Sequence, residues 1–323
     1  MTAAVEVAPA VEPSTRRTGP WSDAYRRLRE SRAATVSMLF IIGVILVAIF
    51  ANLIATHDIS EQFLKSTGTI ADPLAPRDTG KFEGPSLNHL FGTDQLARDI
   101  FSRTIVGLRI SLGAAFFAIL IASTIGLLVG ALAAMGGQFM DDLMMRATDI
   151  AYAFPDLLLI ILLRSAFGNE IFGRSSVLGM DASVLLLFFA ISVTAWPTMA
   201  RLVRGQMLAI REQEYAMAAR AIGCSPSRVA FRHMLPNTVS PVIVEATFLV
   251  PRAIFAEAAL SFIGLGVNPP TPSLGTLIAD HFGFIALQWT ALAIPTLLLA
   301  LIFLAFQSFG DGIRDALDPR TSR

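Results

Sequence analysis

The sequence predicts an all-α integral membrane protein of about six transmembrane helices. Three observations carry that expectation. Hydrophobic residues make up 54% of the chain, charged residues only 15%, and the apolar residues fall into separate runs. Each run is about 20 residues long, the length a helix needs to cross a bilayer. A water-soluble protein of this size carries charge on roughly a quarter of its residues. The formal charge is zero, so the balance implies no attraction to nucleic acid. The single cysteine, Cys224, excludes an internal disulfide and any multi-cysteine metal site within the chain.

The apolar runs cover residues 33–55, 110–137, 147–167, 183–203, 240–265 and 284–309. The second holds no charged residue, whereas the third carries Asp149, Asp156 and Arg164. The first is too long for the apolar part of a signal peptide and begins too far into the chain, so it reads as a signal-anchor helix. Arginine placement sets the expected orientation. Arg16, Arg17, Arg26, Arg27, Arg29 and Arg32 precede the first run, and Arg201, Arg204, Arg211, Arg220, Arg228 and Arg232 cluster between the fourth and fifth. Both termini are therefore expected in the cytoplasm.

Outside the runs, residues 1–32 read as a disordered tail followed by a short helix on the inner membrane surface, with Trp21, Tyr25 and Leu28 on one face. Residues 56–109 form an outer segment too poor in apolar residues to build its own core, and residues 310–323 a cytoplasmic tail. The cytoplasmic connection, at about residues 204–238, is the informative stretch. Glu214 to Ala221 favours helix, Gly223 breaks it, and Ser225-Pro226 is a good start for a second helix. Pro236-Asn237 is expected to end that helix before the fifth span. Two short helices meeting at a glycine form a knob, and Ala218, Ala219 and Gly223 would let a partner approach closely.

The spacing of Ala218, Ala219, Gly223, Leu235 and Pro236 resembles the EAA loop of ABC importer permeases. The longer string EYAMAARAIG, with RHMLPN after it, is similar to the peptide and nickel branch, C-type. Met217 stands where that family usually has glutamate, with Glu214 one turn earlier, and His233 follows a habit of the peptide branch. HLFGTDQLARDIFSRTIVGLRISL, AFPDLLL, AEAALSFIGLGVNPPTPSLG and GDGIRDALDPR look like four further family strings in the family's order. The resemblance covers about residues 30–320.

It implies a type I importer permease fold in a bacterial inner membrane. The implied partners are a second homologous permease, two ABC ATPase subunits (or one fused) and an extracytoplasmic peptide-binding protein. The chain has no G-x-x-x-x-G-K-[ST] sequence, so ATP and Mg would sit on the partner ATPases, with no cofactor or metal bound here and no catalytic residue. Glu214, Tyr215, Ala218, Ala219, Gly223, Cys224, His233, Leu235 and Pro236 would form the coupling element. The implied cargo is a di- or oligopeptide. Nickel or a nickel chelate is the alternative on the same architecture, and a gradient-driven secondary transporter a more distant one.

Ionisable residues inside a span are costly and belong on a pathway, a partner or each other. Asp156, Arg252 and Glu257 are the pathway or gate candidates, with an ion pair inside the subunit as the competing reading. Asp149 and Arg164 stand near enough to span ends to snorkel. Asp94, Arg98 and Asp99 precede the second span and read as a structural network or gate. His57, His89, His233 and His281 show no metal-ligand spacing. Gly126, Gly130 and Ala134 form a small-xxx-small face suited to close helix packing. Pro155, Pro197, Pro251 and Pro295 are expected to kink their helices.

Overall fold

The computed structural model describes residues 20–64, 80–167, 176–177 and 180–317. The expected tail at residues 1–19, part of the outer segment and the last residues of the C-terminal tail lie outside them. The chain runs through α1 (Pro20–Glu30), α2 (Arg32–Ile49), α3 (Ala51–Ile54), α4 (Ile100–Met135), α5 (Gly137–Ala153) and α6 (Asp156–Phe167). A two-residue antiparallel pair, Ser176–Val177 with Met180–Asp181, leads into α7 (Ala182–Arg211) and α8 (Glu214–Ala221). The rest is α9 (Pro226–Val229), α10 (Leu235–Phe262), α11 (Leu274–Phe282) and α12 (Trp289–Leu317). Among the described residues, five helices are long and apolar enough to span a membrane, or six if α5 and α6, bent by 82° at their break, count as one span.

The helix ends differ from the hydropathy reading for a physical reason. α4 starts at Ile100, ten residues earlier than its apolar run, because Asp99 caps it by accepting the Ser102 N–H at 2.8 Å. At 36 residues α4 is about 54 Å long, against about 30 Å of hydrocarbon core, so it is longer than a span needs. The first span is α2, ending at Ile49, with α3 as a separate turn. α12 continues to Leu317, making the near part of the expected C-terminal tail helical. Pro236 does not end a helix either. A π turn over Ala230–Met234, in which the Leu235 N–H donates to Ala230 O, joins α9 to α10. Of the four prolines expected to kink helices, Pro155 stands at the break between α5 and α6, while α7, α10 and α12 run on through Pro197, Pro251 and Pro295.

α7 is the central helix: 61% of its apolar window is buried, against 28% for each of the other four long spans. Leu39, Leu46, Phe116, Leu120, Leu297 and Leu304 stay exposed on the surrounding helices, as suits a surface bathed in lipid. α4 meets α7 through the small-residue face. A Cβ on Gly126 would lie 2.5 Å from Met199 Cβ, and one on Gly130 would lie 2.6 Å from Ala200 O. This is packing inside one subunit. Gly130→Leu is expected to lower accumulation in the membrane severalfold and depress the Tm of the purified protein, because overpacking costs about 1–3 kcal/mol or more. Gly205→Ala, with nothing within 4 Å of its Cβ, is the control and should leave both unchanged.

Several chain segments share one end of the bundle. Ala134, near the end of α4, packs in the apolar cluster that holds Ala216 and Ala219 of α8. Gln206, Ser240 and Arg314 line one cavity there. A Cβ on Gly312 of α12 would touch Ala34, where α2 begins, and Leu28 of α1. The start of α4 and the segment before it lie at the opposite end.

Candidate functional site

The knob between α7 and α10 is built by backbone hydrogen bonds. Gly223 has φ +86, which an L side chain adopts only with strain. That turn lets the Gly223 N–H donate to Arg220 O at 3.0 Å and the Cys224 N–H to Ala219 O at 3.1 Å, a Schellman ending for α8. Ser225 restarts the chain by accepting the Arg228 N–H, with Pro226 in the first turn of α9. Arg220 reaches back to donate to Arg211 O at 2.6 Å, satisfying a carbonyl left open at the end of α7. Glu214 sits in the first turn of α8, where the helix dipole favours negative charge.

The alanines divide into two sets. Ala216 and Ala219 are buried against Met199, Val203 and Met207 of α7 and against Val229, Ala230 and Met234. Ala219 therefore anchors the knob and does not belong to its outer surface, contrary to its expected role. Ala218 and Gly223 face outward beside Tyr215, Met217 and Ile222, the last 82% exposed. Cys224, His233 and Leu235 are half-buried, and Pro236 is exposed. His233 O accepts from Asn237 Nδ2 at 2.6 Å. The result is a small apolar surface fixed rigidly to α7 and α10.

Two of the three pathway candidates meet in the bundle. A cavity of about 100 Å³ opens between the α5–α6 bend, α7 and α10, lined in part by Tyr152, Asp156, Thr194, Thr198, Glu245 and Arg252. Arg252 donates to Glu245 at 3.0 Å, two turns away on the same helix. The same pair also borders a larger cavity of about 1010 Å³ between α7, α10 and α12, which runs to Gln307, Asp311 and Arg314. Glu257 is a correction: it is fully buried, accepting from Ser111 Oγ at 2.8 Å and Ser261 Oγ at 2.7 Å. It clasps α4 to α10 and lines neither cavity.

Arg164 is a second correction. It is buried and does not snorkel, donating to Ser183 O at 2.7 Å, to Gly266 O and to Asn268 Oδ1. It thereby ties α6 to the start of α7 and the loop after α10. At the other end of α5, Asp141 pairs with Arg204, and Asp149 lies 3.4 Å from Arg201.

Asp94, Arg98 and Asp99 come together at the far end with partners the sequence did not single out. Asp94 accepts from Arg98 Nε at 2.7 Å and from the backbone N–H groups of Leu96 and Arg98. Arg103 lies 3.7 Å from Asp94 and from Asp280 of α11. Asp99, besides capping α4, lies 3.0 Å from His89 Nδ1 and 3.8 Å from His57 Nδ1. One ligand atom each from His57, His89 and Asp99 falls within 4.8 Å of the others, a grouping invisible to spacing because His57 and His89 are 32 positions apart. His57 Nδ1 lies 3.0 Å from Thr56 Oγ1, and the Asp99 oxygens take His89 and Ser102. His281 is buried beside this network, and burial pushes its pKa below the ordinary histidine value. Its Nδ1 lies 2.6 Å from Leu277 O, an acceptor, and therefore carries a proton.

Comparison with known proteins agrees with this architecture. Residues 126–323 match the family described as the inner membrane component of binding-protein-dependent transport systems. Residues 19–76 match the N-terminal transmembrane domain of oligopeptide transport permease C. A glutathione transport system permease protein, GsiD, of Escherichia coli is 39% identical over 318 residues, 98% of this chain and 96% of that one. The oligopeptide permease OppC of Bacillus subtilis is 37% identical, over 93% of this chain and 90% of its own. The dipeptide permease DppC of Alkalihalophilus pseudofirmus is 36% identical with the same coverage. Among solved structures, a chain of the inward-facing MetNI methionine ABC transporter superposes with a TM-score of 0.52 at 21% identity, over 68% of this chain and 98% of that chain; that likeness concerns the fold. This chain belongs to the inner-membrane components of binding-protein-dependent transport systems: it is a permease subunit of an ABC importer, in the branch with the dipeptide, oligopeptide and glutathione permeases.

Proposed function

We propose that this chain forms half of a translocation path for short peptides in a bacterial inner membrane, paired with a second, homologous permease. Two ABC ATPase subunits, or one fused pair, seat on the α8 knob and hold the ATP and Mg; a peptide-binding protein delivers cargo from outside. The chain itself holds no nucleotide and performs no catalysis. Both termini, α8 and α9 face the cytoplasm, and the outer network of Asp94, Arg98 and Asp99 faces the binding protein. The observation that carries this reading is the exposed apolar surface of Tyr215, Met217, Ala218 and Ile222 on a knob rigidly bonded to α7 and α10. A groove that moves when ATP closes the ATPase pair would then shift both helices, a two-state element biased by nucleotide.

The test is purification of the tagged chain in mild detergent with mass spectrometry of what stays bound, then uptake into liposomes. The expected result is a second multi-span permease with Walker-type ATPases, and ATP-driven uptake of alanyl peptides once the binding protein is added. A chain that runs alone, in detergent that preserves other such complexes, would overturn the partner set. Uptake of nickel in place of peptide would move the cargo to the alternative.

A further inference from the structure

We propose that the cavity at the α5–α6 bend reads both ends of a zwitterionic cargo, with Asp156 taking an ammonium group and Arg252 a carboxylate. The inference rests on the peptide reading above and adds a site to it.

The bend itself is the first observation. Non-helical backbone at membrane depth is tolerated only where protein or a water-filled cavity covers it. The chain breaks by 82° at Phe154–Pro155, and Asp156 opens α6 directly after the break, lining the cavity. The second observation is the state of the charges. Among the described residues, the Asp156 carboxylate has no hydrogen bond or ion pair. Arg252 has only Glu245, and its side chain is 61% exposed. An acid in a membrane span that pairs with nothing is costly, and a passing ammonium group would offset that cost.

The third observation is position. Arg252 lies 17 residues into α10 and 10 from its end, near the middle of the span. The Glu245–Arg252 pair borders both cavities, so it stands between the bend and the larger space that leads to the α8 end. A cargo carboxylate would exchange with Glu245 for the Arg252 guanidinium, whose planar fork suits bidentate carboxylate binding. The freed Glu245 could then join Asp156 in holding the ammonium end. Thr194 and Thr198 of α7 add neutral donors and acceptors to the same lining. Closing the pair again after the cargo leaves restores the divider.

The test uses the complete transporter in liposomes, with labelled dialanine to tetra-alanine as probes. ATP hydrolysis stimulated by the loaded binding protein is measured alongside uptake. Asp156→Asn and Arg252→Gln are each expected to cut uptake tenfold or more, with stimulated ATP hydrolysis within twofold of wild type. The exchanged pair Glu245→Arg with Arg252→Glu should not restore uptake, because the ligand charges would be misplaced. Uptake within twofold of wild type in either single variant would overturn the inference. So would rescue by the exchanged pair, or a matched fall in ATP hydrolysis, since both describe a purely structural ion pair. Absence of ATP-driven alanyl-peptide uptake by the wild type is a different failure: the peptide reading falls, and this site with it.

Discussion

A Gly223→Glu chain is expected to reach the membrane in normal amount and carry no measurable ATP-driven uptake. The expectation separates two effects at one position. Any L residue at Gly223 must adopt φ near +86, which costs roughly 1–2 kcal/mol. Within the subunit there is room, since nothing lies within 4 Å of a Cβ placed there. Gly223→Ala therefore carries the backbone cost alone and should retain uptake within a few-fold of wild type. Glutamate adds a charge and bulk to the surface proposed to enter the ATPase groove. A buried, unpaired charge at an interface costs about 2–5 kcal/mol, or roughly thirtyfold to several-thousandfold in affinity. Loss of co-purifying ATPase from the glutamate variant, and its retention by the alanine variant, would confirm the docking role. Wild-type uptake by Gly223→Glu would end it.

The bundle was legible in the sequence wherever a helix carries a long apolar run. α2, α4, α7 and α12 each follow from such a run, because the bilayer selects for hydropathy directly. The errors at their ends share one cause: hydropathy marks where lipid begins, while hydrogen bonds decide where a helix begins. Asp99 starts α4 inside a polar stretch, and Leu235 carries a helix past Pro236 by bonding one residue further back. The knob was legible because Gly223 and Ser225-Pro226 are local signals. Which alanine faces inward was not, since Ala218 and Ala219 are neighbours in sequence and only the packing of α8 on Met199 and Val203 distinguishes them. Long-range polar pairing was the least legible part. Arg164 with Gly266, Ser111 with Glu257, and Arg103 with Asp280 each join residues more than 100 positions apart, and no spacing rule reaches that far.

Asp94→Ala is expected to be the most destabilising single change at the far end of the bundle. Asp94 is fully buried and answers for two arginines that are themselves almost fully buried, Arg98 and Arg103. Alanine leaves both cations with Asp280, which is 40% exposed and 4.0 Å and 3.7 Å away. Removing one partner of a buried ion pair costs about 3–5 kcal/mol. It also orphans the Leu96 and Arg98 N–H groups, which donate to Asp94 Oδ1 at 2.8 Å and 2.9 Å and hold the turn ahead of α4. A Tm lower by about 10 °C, or loss of the monodisperse peak on size exclusion, is the expected reading. Asp94→Asn isolates the charge from the turn, because its amide oxygen can still accept both backbone bonds, so its loss should be clearly smaller. Arg103 also reaches Ile59 O at 3.2 Å and Pro270 O at 3.4 Å, so the same acid steadies the arginine that joins the segment before α4 to the loop before α11. Equal Tm values for wild type and Asp94→Ala would mean that this network is solvated and that this end of the bundle is held by its apolar contacts alone.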